Sequence, residues 1–228
     1  MMIIEFTGAP GSGKSTVIRG ISELSLKDPV IFNVEKYIRD HSVFKLPGTI
    51  GFDIILLFNF YKLKKKDYIL LSKSFSVLKK TKHKVKHKIN IFRNIFKKLI
   101  INRFIQNKKE IFLIDEGLSH IPMSLFVDIN SEIVKSEVID FFESLPKIDK
   151  LLLIDVDDLN LINRVIKRGE RGHKRMDFSK KENIILFMSK SRSILDIQKH
   201  EMEPDIYMNT DTSPDIQRIV KLIGLRNV

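Results

Sequence analysis

Gly8-Ala9-Pro10-Gly11-Ser12-Gly13-Lys14-Ser15-Thr16 decides how the rest of this 228-residue chain is read. The stretch matches G-x-x-x-x-G-K-[ST], a pattern whose weight comes from what flanks it. Before it, Met2-Ile3-Ile4-Glu5-Phe6 is a short, mostly apolar run with the length of a buried parallel strand. After it, the spacing predicts a helix over 14–26, with Val17, Ile18, Ile21, Leu24 and Leu26 toward a core. Gly8, Gly11 and Gly13 permit backbone angles and a close approach that a side chain would obstruct. Consecutive N–H groups then face inward, backed by the free donors of a helix N-terminus, and form an anion cradle. In such a cradle Lys14 reaches the β- and γ-phosphates of a nucleotide, and Ser15 ligates Mg²⁺.

Composition narrows the rest. An apolar share of 43% supports a substantial core, and the length suits a single domain over 1–228. The absence of cysteine excludes disulfides, thiol catalysis and Cys-ligated zinc. No uninterrupted apolar run approaches the roughly 20 residues of a membrane span. The chain enters its first strand with no room for a cleavable leader, so a cytoplasmic protein is expected. The net charge of +12 is unevenly placed. Between Lys62 and Lys109, 17 Lys/Arg stand against Asp67 alone, a window of +16 that leaves −4 for all other residues. The basicity therefore belongs to a helical subregion over 52–109, and not to the glycine-rich turn.

A second strand is expected over Pro29–Val34, which places Glu35 at the carboxyl edge of a parallel sheet, where α/β proteins bind ligands. Arg39 shares a face with Glu35 if a helix continues from there. Phe52–Tyr61 reads as a buried helix or an overlong strand, with helix preferred because Asp53 can cap its start, and Asp67–Val77 reads as another helix. Lys79–Lys88 carries little apolar material and is expected to be exposed. Ile89–Ile105 returns to helical spacing with a wide apolar surface, suited to the sheet or to an oligomer partner. A third strand, Glu110–Ile114, runs into Asp115-Glu116-Gly117. A carboxylate ending an apolar strand is the companion a phosphate cradle needs. Asp115 is a candidate Mg²⁺ ligand, and Glu116 a second metal-site or water-ordering carboxylate, with helix capping as its alternative role.

Further on, a helix is expected over Ser131–Ser144, ended by Pro146, and a fourth strand over Lys150–Ile154 with Asp155 at its edge. The helix opened by Asp158 carries Arg164 and Arg168 at i and i+4. Glycines and arginines then alternate through Arg171 and Arg175, a composition suited to a segment, 168–177, that closes over phosphates and excludes water. A long helix over Phe178–Ile197, a fifth strand at Ile206–Met208 and a last helix over Pro214–Leu222 complete the chain. No N-K-x-D guanine-reading signature is present in the loop Asn209–Ser213, which favours ATP.

These landmarks together resemble the nucleoside and nucleotide kinase branch of the P-loop proteins, and most closely the thymidylate-kinase-like group. The resemblance rests on Gly8–Thr16, the strand ending Asp115-Glu116-Gly117, Ile154-Asp155 followed by Arg164 and Arg168, and the stretch Tyr207–Ser213. It implies a three-layer α/β fold with a parallel five-stranded sheet of order 2-3-1-4-5. It also implies a lid after the fourth strand and transfer of the γ-phosphoryl group of ATP, with Mg²⁺, to a small acceptor. Lys14 and Ser15 then form the P-loop pair, and Arg168, Arg171 and Arg175 fall in the lid. Glu35 occupies the place of the base that deoxynucleoside kinases use on the acceptor hydroxyl. Two departures stand out: thymidylate kinases have Asp-Arg where this chain has Asp115-Glu116, and the Glu-Arg-Ser motif of deoxynucleoside kinases is absent. The acceptor is thus a nucleoside, a nucleotide or a sugar-like alcohol. Two further readings are a regulatory ATPase that grips a polyanion or anionic membrane through 62–109, and a kinase of polynucleotide ends.

Overall fold

A computed structural model describes residues 2–24, 29–42, 48–106, 108–169, 181–208 and 214–225. Five parallel strands run in the order β2-β3-β1-β4-β5: β1 Met2–Thr7, β2 Val30–Ile31, β3 Ile111–Asp115, β4 Lys150–Asp155 and β5 Asp205–Met208. The register aligns Phe6 with Asp115 and with Leu152, so β1 and β3 end side by side. This is the expected order, and it brings the glycine turn after β1 next to the carboxylates after β3.

Side-chain alternation along these strands builds two cores, one on each face. Ile4, Phe6, Leu113, Leu152 and Ile154 meet α1 (Lys14–Ser22) and the C-terminal helix Ile216–Ile223 through Val17, Ile21, Ile219 and Ile223. Ile3, Phe112 and Leu153 face the larger layer. That layer comprises α2 (Val34–Asp40), α3 (Gly48–Phe58), α4 (Lys65–Lys80), α5 (Val85–Ile105), α6 (Ile121–Phe126), α7 (Lys135–Glu143), α8 (Asp158–Gly169) and α9 (Lys181–Met202). The C-terminal helix, α10, is capped by Asp215, which accepts from Arg218 N at 3.0 Å.

Several boundaries differ from the sequence reading, each for a local reason. β2 is only Val30–Ile31, because Asn33 accepts from Lys36 N at 2.8 Å and starts α2 at Val34. α1 stops at Ser22, and Leu26 lies outside the described residues. α3 already begins at Gly48, so Asp53 sits inside the helix and pairs with Arg93 instead of capping. α7 starts at Lys135 instead of Ser131. The start of the expected Phe178 helix and the loop Asn209–Ser213 fall outside the described residues.

The basic subregion is part of the larger layer. α5 buries Ile91, Ile95, Leu99, Ile100, Phe104 and Ile105, so its apolar surface is largely intramolecular core. Arg103 Nε and Nη2 each donate to one oxygen of the buried Asp67 at 2.7 Å, a forked clamp from α5 to the first turn of α4. Asp67 also accepts from Lys64 N at 2.7 Å. Lys73 and Lys80, two turns apart on α4, pair with Asp140 and Glu137 of α7 at 2.9 and 2.6 Å. Part of the positive window is therefore balanced by acids distant in sequence, while Lys82 to His87 stays mostly exposed, as expected.

Candidate active site

The turn after β1 is held by its contacts with β4 and α8. Gly8 has φ +147, and a Cβ there would lie 2.4 Å from the Ile154 carbonyl oxygen of β4. Gly13, at φ +97, is the residue from which α1 starts, and its carbonyl accepts from Thr16 N and Val17 N at 2.9 and 3.0 Å. Gly11 packs on Val165 and Leu161, so the turn is braced by α8. Ala9 and Ser12 are buried, and Pro10 is half-buried. Ser15 and Thr16 stay exposed at the first turn of α1.

Lys14 is buried, and its Nζ donates to the carbonyls of Gly8 and Ala9 at 2.9 and 3.3 Å. It thus lies across the cradle, 3.6 Å from Glu116 Oε1. Ser15 Oγ donates to Asp115 Oδ2 at 2.9 Å, so these two residues, 100 positions apart, are brought together. These two hard oxygen donors beside a phosphate cradle fit Mg²⁺ chemistry: the ion keeps much of its coordination for water and phosphate oxygens. Burial pushes the Asp115 carboxyl above its ordinary range, and Ser15 and Lys14 offset part of this.

Glu116 adopts φ +56, a conformation that side chains rarely take, and its N donates to the Phe6 carbonyl at 3.2 Å. The turn directs its carboxylate between Lys14 and His120, whose Nε2 is 3.7 Å from Glu116 Oε2. Burial raises its pKa, but the charges of Lys14 and Lys98 oppose that and it stays below the usual carboxylate range. His120 itself is buried, and desolvation lowers it to about 3, against the pull of Glu116. It is a neutral imidazole at physiological pH. Its Nδ1 has no hydrogen-bond partner among the described residues.

Beneath this turn lies a residue that the sequence reading treated only as part of a strand. Glu5, in the middle of β1, is 1% exposed and accepts from Leu118 N and Ser119 N at 2.9 and 2.8 Å. Desolvation raises its pKa, with the two N–H groups and Lys98 opposing. Glu5 caps the short 3₁₀ turn Leu118–His120 and so fixes the segment that carries Glu116 and His120. Gln198 of α9 joins the same support, accepting from Thr7 Oγ1 at 3.0 Å and donating to the Ser119 carbonyl at 2.9 Å. Lys98 of α5 completes the cluster. Burial lowers its pKa, while Glu116, Glu5 and Asp115 pull it back up. A carboxylate inside an otherwise apolar central strand was the available signal for Glu5. Lys98 had none, being one lysine among many.

Glu35 lies in the first turn of α2, half-exposed, and pairs with Lys97 of α5. Arg39 stands over the Phe52 ring at 4.9 Å, and Lys97 over the same ring at 4.7 Å. Arg164 is half-buried on α8. Arg168 belongs to the same helix, but its side chain, like all of Arg171 and Arg175, lies outside the described residues.

A glycine cradle on β1, a serine–aspartate contact to β3 and the strand order β2-β3-β1-β4-β5 stand together. The chain is a three-layer α/β fold on a parallel five-stranded sheet, with a glycine-rich strand-turn-helix at its first strand. No protein-family model matches it, and no curated protein matches its sequence. Solved structures similar to it include deoxyadenosine kinase from M. mycoides with products dCMP and dCDP bound, at 17% identity and a TM-score of 0.45, covering 97% of this chain and 96% of that one. Shikimate kinase from Acinetobacter baumannii in complex with shikimate is 14% identical, with a TM-score of 0.40 and coverage of 98% and 93%. TT1252 from Thermus thermophilus is 15% identical, with a TM-score of 0.41 and coverage of 97% and 95%. Among the described residues, no helix is long and apolar enough to cross a membrane.

Proposed function

We propose that this chain is a phosphotransferase that moves the γ-phosphoryl group of ATP to a hydroxyl of a small acceptor. The observation that carries the reading is the meeting of Ser15 Oγ and Asp115 Oδ2 at 2.9 Å beside the buried Lys14. Ser15 and Asp115 would hold Mg²⁺, which when bound supplies positive charge against the β- and γ-phosphates. Lys14 leaves the Gly8 and Ala9 carbonyls for phosphate oxygens, exchanging neutral acceptors for charged ones. The acceptor oxygen bonds to the γ-phosphorus as the bond to the β–γ bridging oxygen breaks, ADP departs, and Glu35 takes the hydroxyl proton. Arg164 and Arg168, with Arg171 and Arg175 of the lid, offset charge on the transferring group. Glu116, engaged by Lys14 and His120, orients the nucleophile instead of ligating metal.

One observation favours a second reading. Glu116 lies 3.6 Å from Lys14, where a carboxylate can also align water for hydrolysis. The chain would then be an ATPase switch, with the exposed lysines of 62–109 on a polyanion or anionic membrane. ATP consumption over a panel of nucleosides, nucleotides and sugars, with ³¹P detection of products and Lys14→Ala as control, separates the two. Phosphate appearing on an acceptor only with Lys14 intact supports transfer. Release of inorganic phosphate alone, stimulated by polymer or vesicles, refutes it.

A further inference from the structure

Not every apolar side chain of the basic subregion enters the core. Tyr61 is 75% exposed, Ile89 61% and Phe75 52%, and Tyr68 and Ile69 are exposed as well. These residues share one surface. On α4, Lys65, Tyr68, Ser72, Phe75 and Lys79 recur at three- and four-residue intervals, and all five are exposed. On α5, Val85, Ile89, Phe92 and Phe96 recur in the same way. Ring contacts join the two rows. Phe60 meets Tyr68 edge-on at 5.7 Å and stacks on Phe96 at 5.9 Å, and Phe75 meets Phe92 edge-on at 6.0 Å. The result is a strip of aromatic and aliphatic side chains along the α4–α5 pair, and contiguous apolar surface of this kind marks a docking site.

The charge around the strip selects its occupant. Asp67 is the sole acid between Leu57 and Phe92, and it is buried in the clamp of Arg103. Lys65 and Lys66 stand at one end of the strip and Lys84 and Lys86 at the other, all four exposed and without an acidic partner among the described residues. α4, which joins the two ends, has 16 residues and is about 24 Å long. No single small anion spans that distance, so the lysines suit an extended anionic surface. Lys79 lies over the Phe75 ring at 4.6 Å, its ammonium at the border between the apolar and the charged parts.

We infer that the chain docks on an anionic lipid bilayer through the α4–α5 strip. Tyr68, Phe75 and Ile89 enter the boundary between headgroups and acyl chains, and Lys65, Lys66, Lys84 and Lys86 meet lipid phosphates and carboxylates. Two other occupants fit less well. A second copy of the chain would set lysines against lysines, with no acid in the strip to pair them. Single-stranded nucleic acid needs open ring faces for its bases, whereas Phe60 and Phe75 are engaged by neighbouring rings and by Lys79. Ile69, Val85 and Ile89 beside them offer bases nothing to stack on but match acyl chains. The apolar middle thus adds what lysines alone lack, a preference for lipid over other polyanions. The strip shares no residue with Lys14, Ser15, Asp115 or Glu35, so docking does not depend on what the glycine cradle turns over.

The test is co-sedimentation of the full chain with phosphatidylcholine vesicles, with and without phosphatidylserine, in the absence of ATP. Binding is expected to be at least about tenfold tighter with phosphatidylserine and to weaken as salt rises. Phe75→Ser and Ile89→Ser should each weaken it about tenfold at similar Tm, because both side chains are exposed. Lys65→Gln together with Lys66→Gln should weaken it about 10- to 30-fold. Serine variants that bind as the parent does would leave the lysines acting alone and overturn the inference. So would equal affinity for the two vesicle types, or tighter binding to single-stranded RNA than to charged vesicles. Dimerisation in solution that Phe75→Ser abolishes, with no vesicle binding, would assign the strip to a second copy and overturn it too. No step of phosphoryl transfer is read in this assay, so the inference and the phosphotransferase reading fail separately.

Discussion

Gly117→Ala is a small change whose consequences the structure makes calculable. Gly117 has φ −69 and ψ −144, and the space where a side chain would go is filled by Glu5. An added Cβ would lie 2.3 Å from the Glu5 carboxyl carbon and 2.4 and 2.6 Å from its oxygens. Glu5 is fully packed, and its only freedom is to give up Leu118 N and Ser119 N. Hydrogen bonds to a charged group are each worth about 1.5–3 kcal/mol. With partial relaxation, a loss of about 3 kcal/mol follows, or about 6–12 °C in Tm for a chain of this size. The same displacement moves Glu116 and His120, so acceptor turnover should fall further than ATP binding. The decisive assay is a double-mutant cycle in urea with Glu5→Ala. Removing the carboxylate removes the clash, so Gly117→Ala should cost clearly less in that background than in the parent. Costs that simply add would refute the account of Glu5 as the support of this turn.

Three other perturbations follow from the same geometry. His120 is neutral down to about pH 3 in the fold but protonates near 6.5 when unfolded, so the unfolded chain binds one more proton between those values. Its contribution makes stability rise with pH across that window, by about 1.4 kcal/mol per unit, and His120→Gln should flatten the slope of urea midpoints measured from pH 4 to 6.5. An unchanged slope would place the imidazole in water. Asp115→Asn should lower Mg²⁺-dependent phosphoryl transfer by about 10²- to 10³-fold with little change in Tm, since it removes a charge at the reacting end and not in the core. A variant as active as the parent would exclude Asp115 from the metal site. Asp67→Asn leaves the Arg103 guanidinium buried without its forked partner, and a loss of about 3–5 kcal/mol is expected by denaturation. Loss under about 1 kcal/mol would mean that water reaches the pair.

Local physics made much of this protein legible before any coordinates. Glycines at three positions of a turn, flanked by an apolar run and a helical period, specify a strand, a tight turn and a helix, because backbone geometry there is decided within a few residues. An apolar run ending in Asp115 similarly announces a strand with a carboxylate at its edge, and the pairing of Ser15 with Asp115 follows once both strands are adjacent. The sequence could not say which of many like residues meet across the chain. Nothing local separates Lys97 and Lys98 from the other lysines of their window, yet α5 turns one to Glu35 and the other toward Glu116. Glu5 reads as an interruption of an apolar strand until the turn after β3 folds over it with two N–H donors. His120 becomes a neutral, desolvated imidazole only because that turn buries it. Burial and charge pairing are sums over neighbours contributed by every layer, so packing alone decided them.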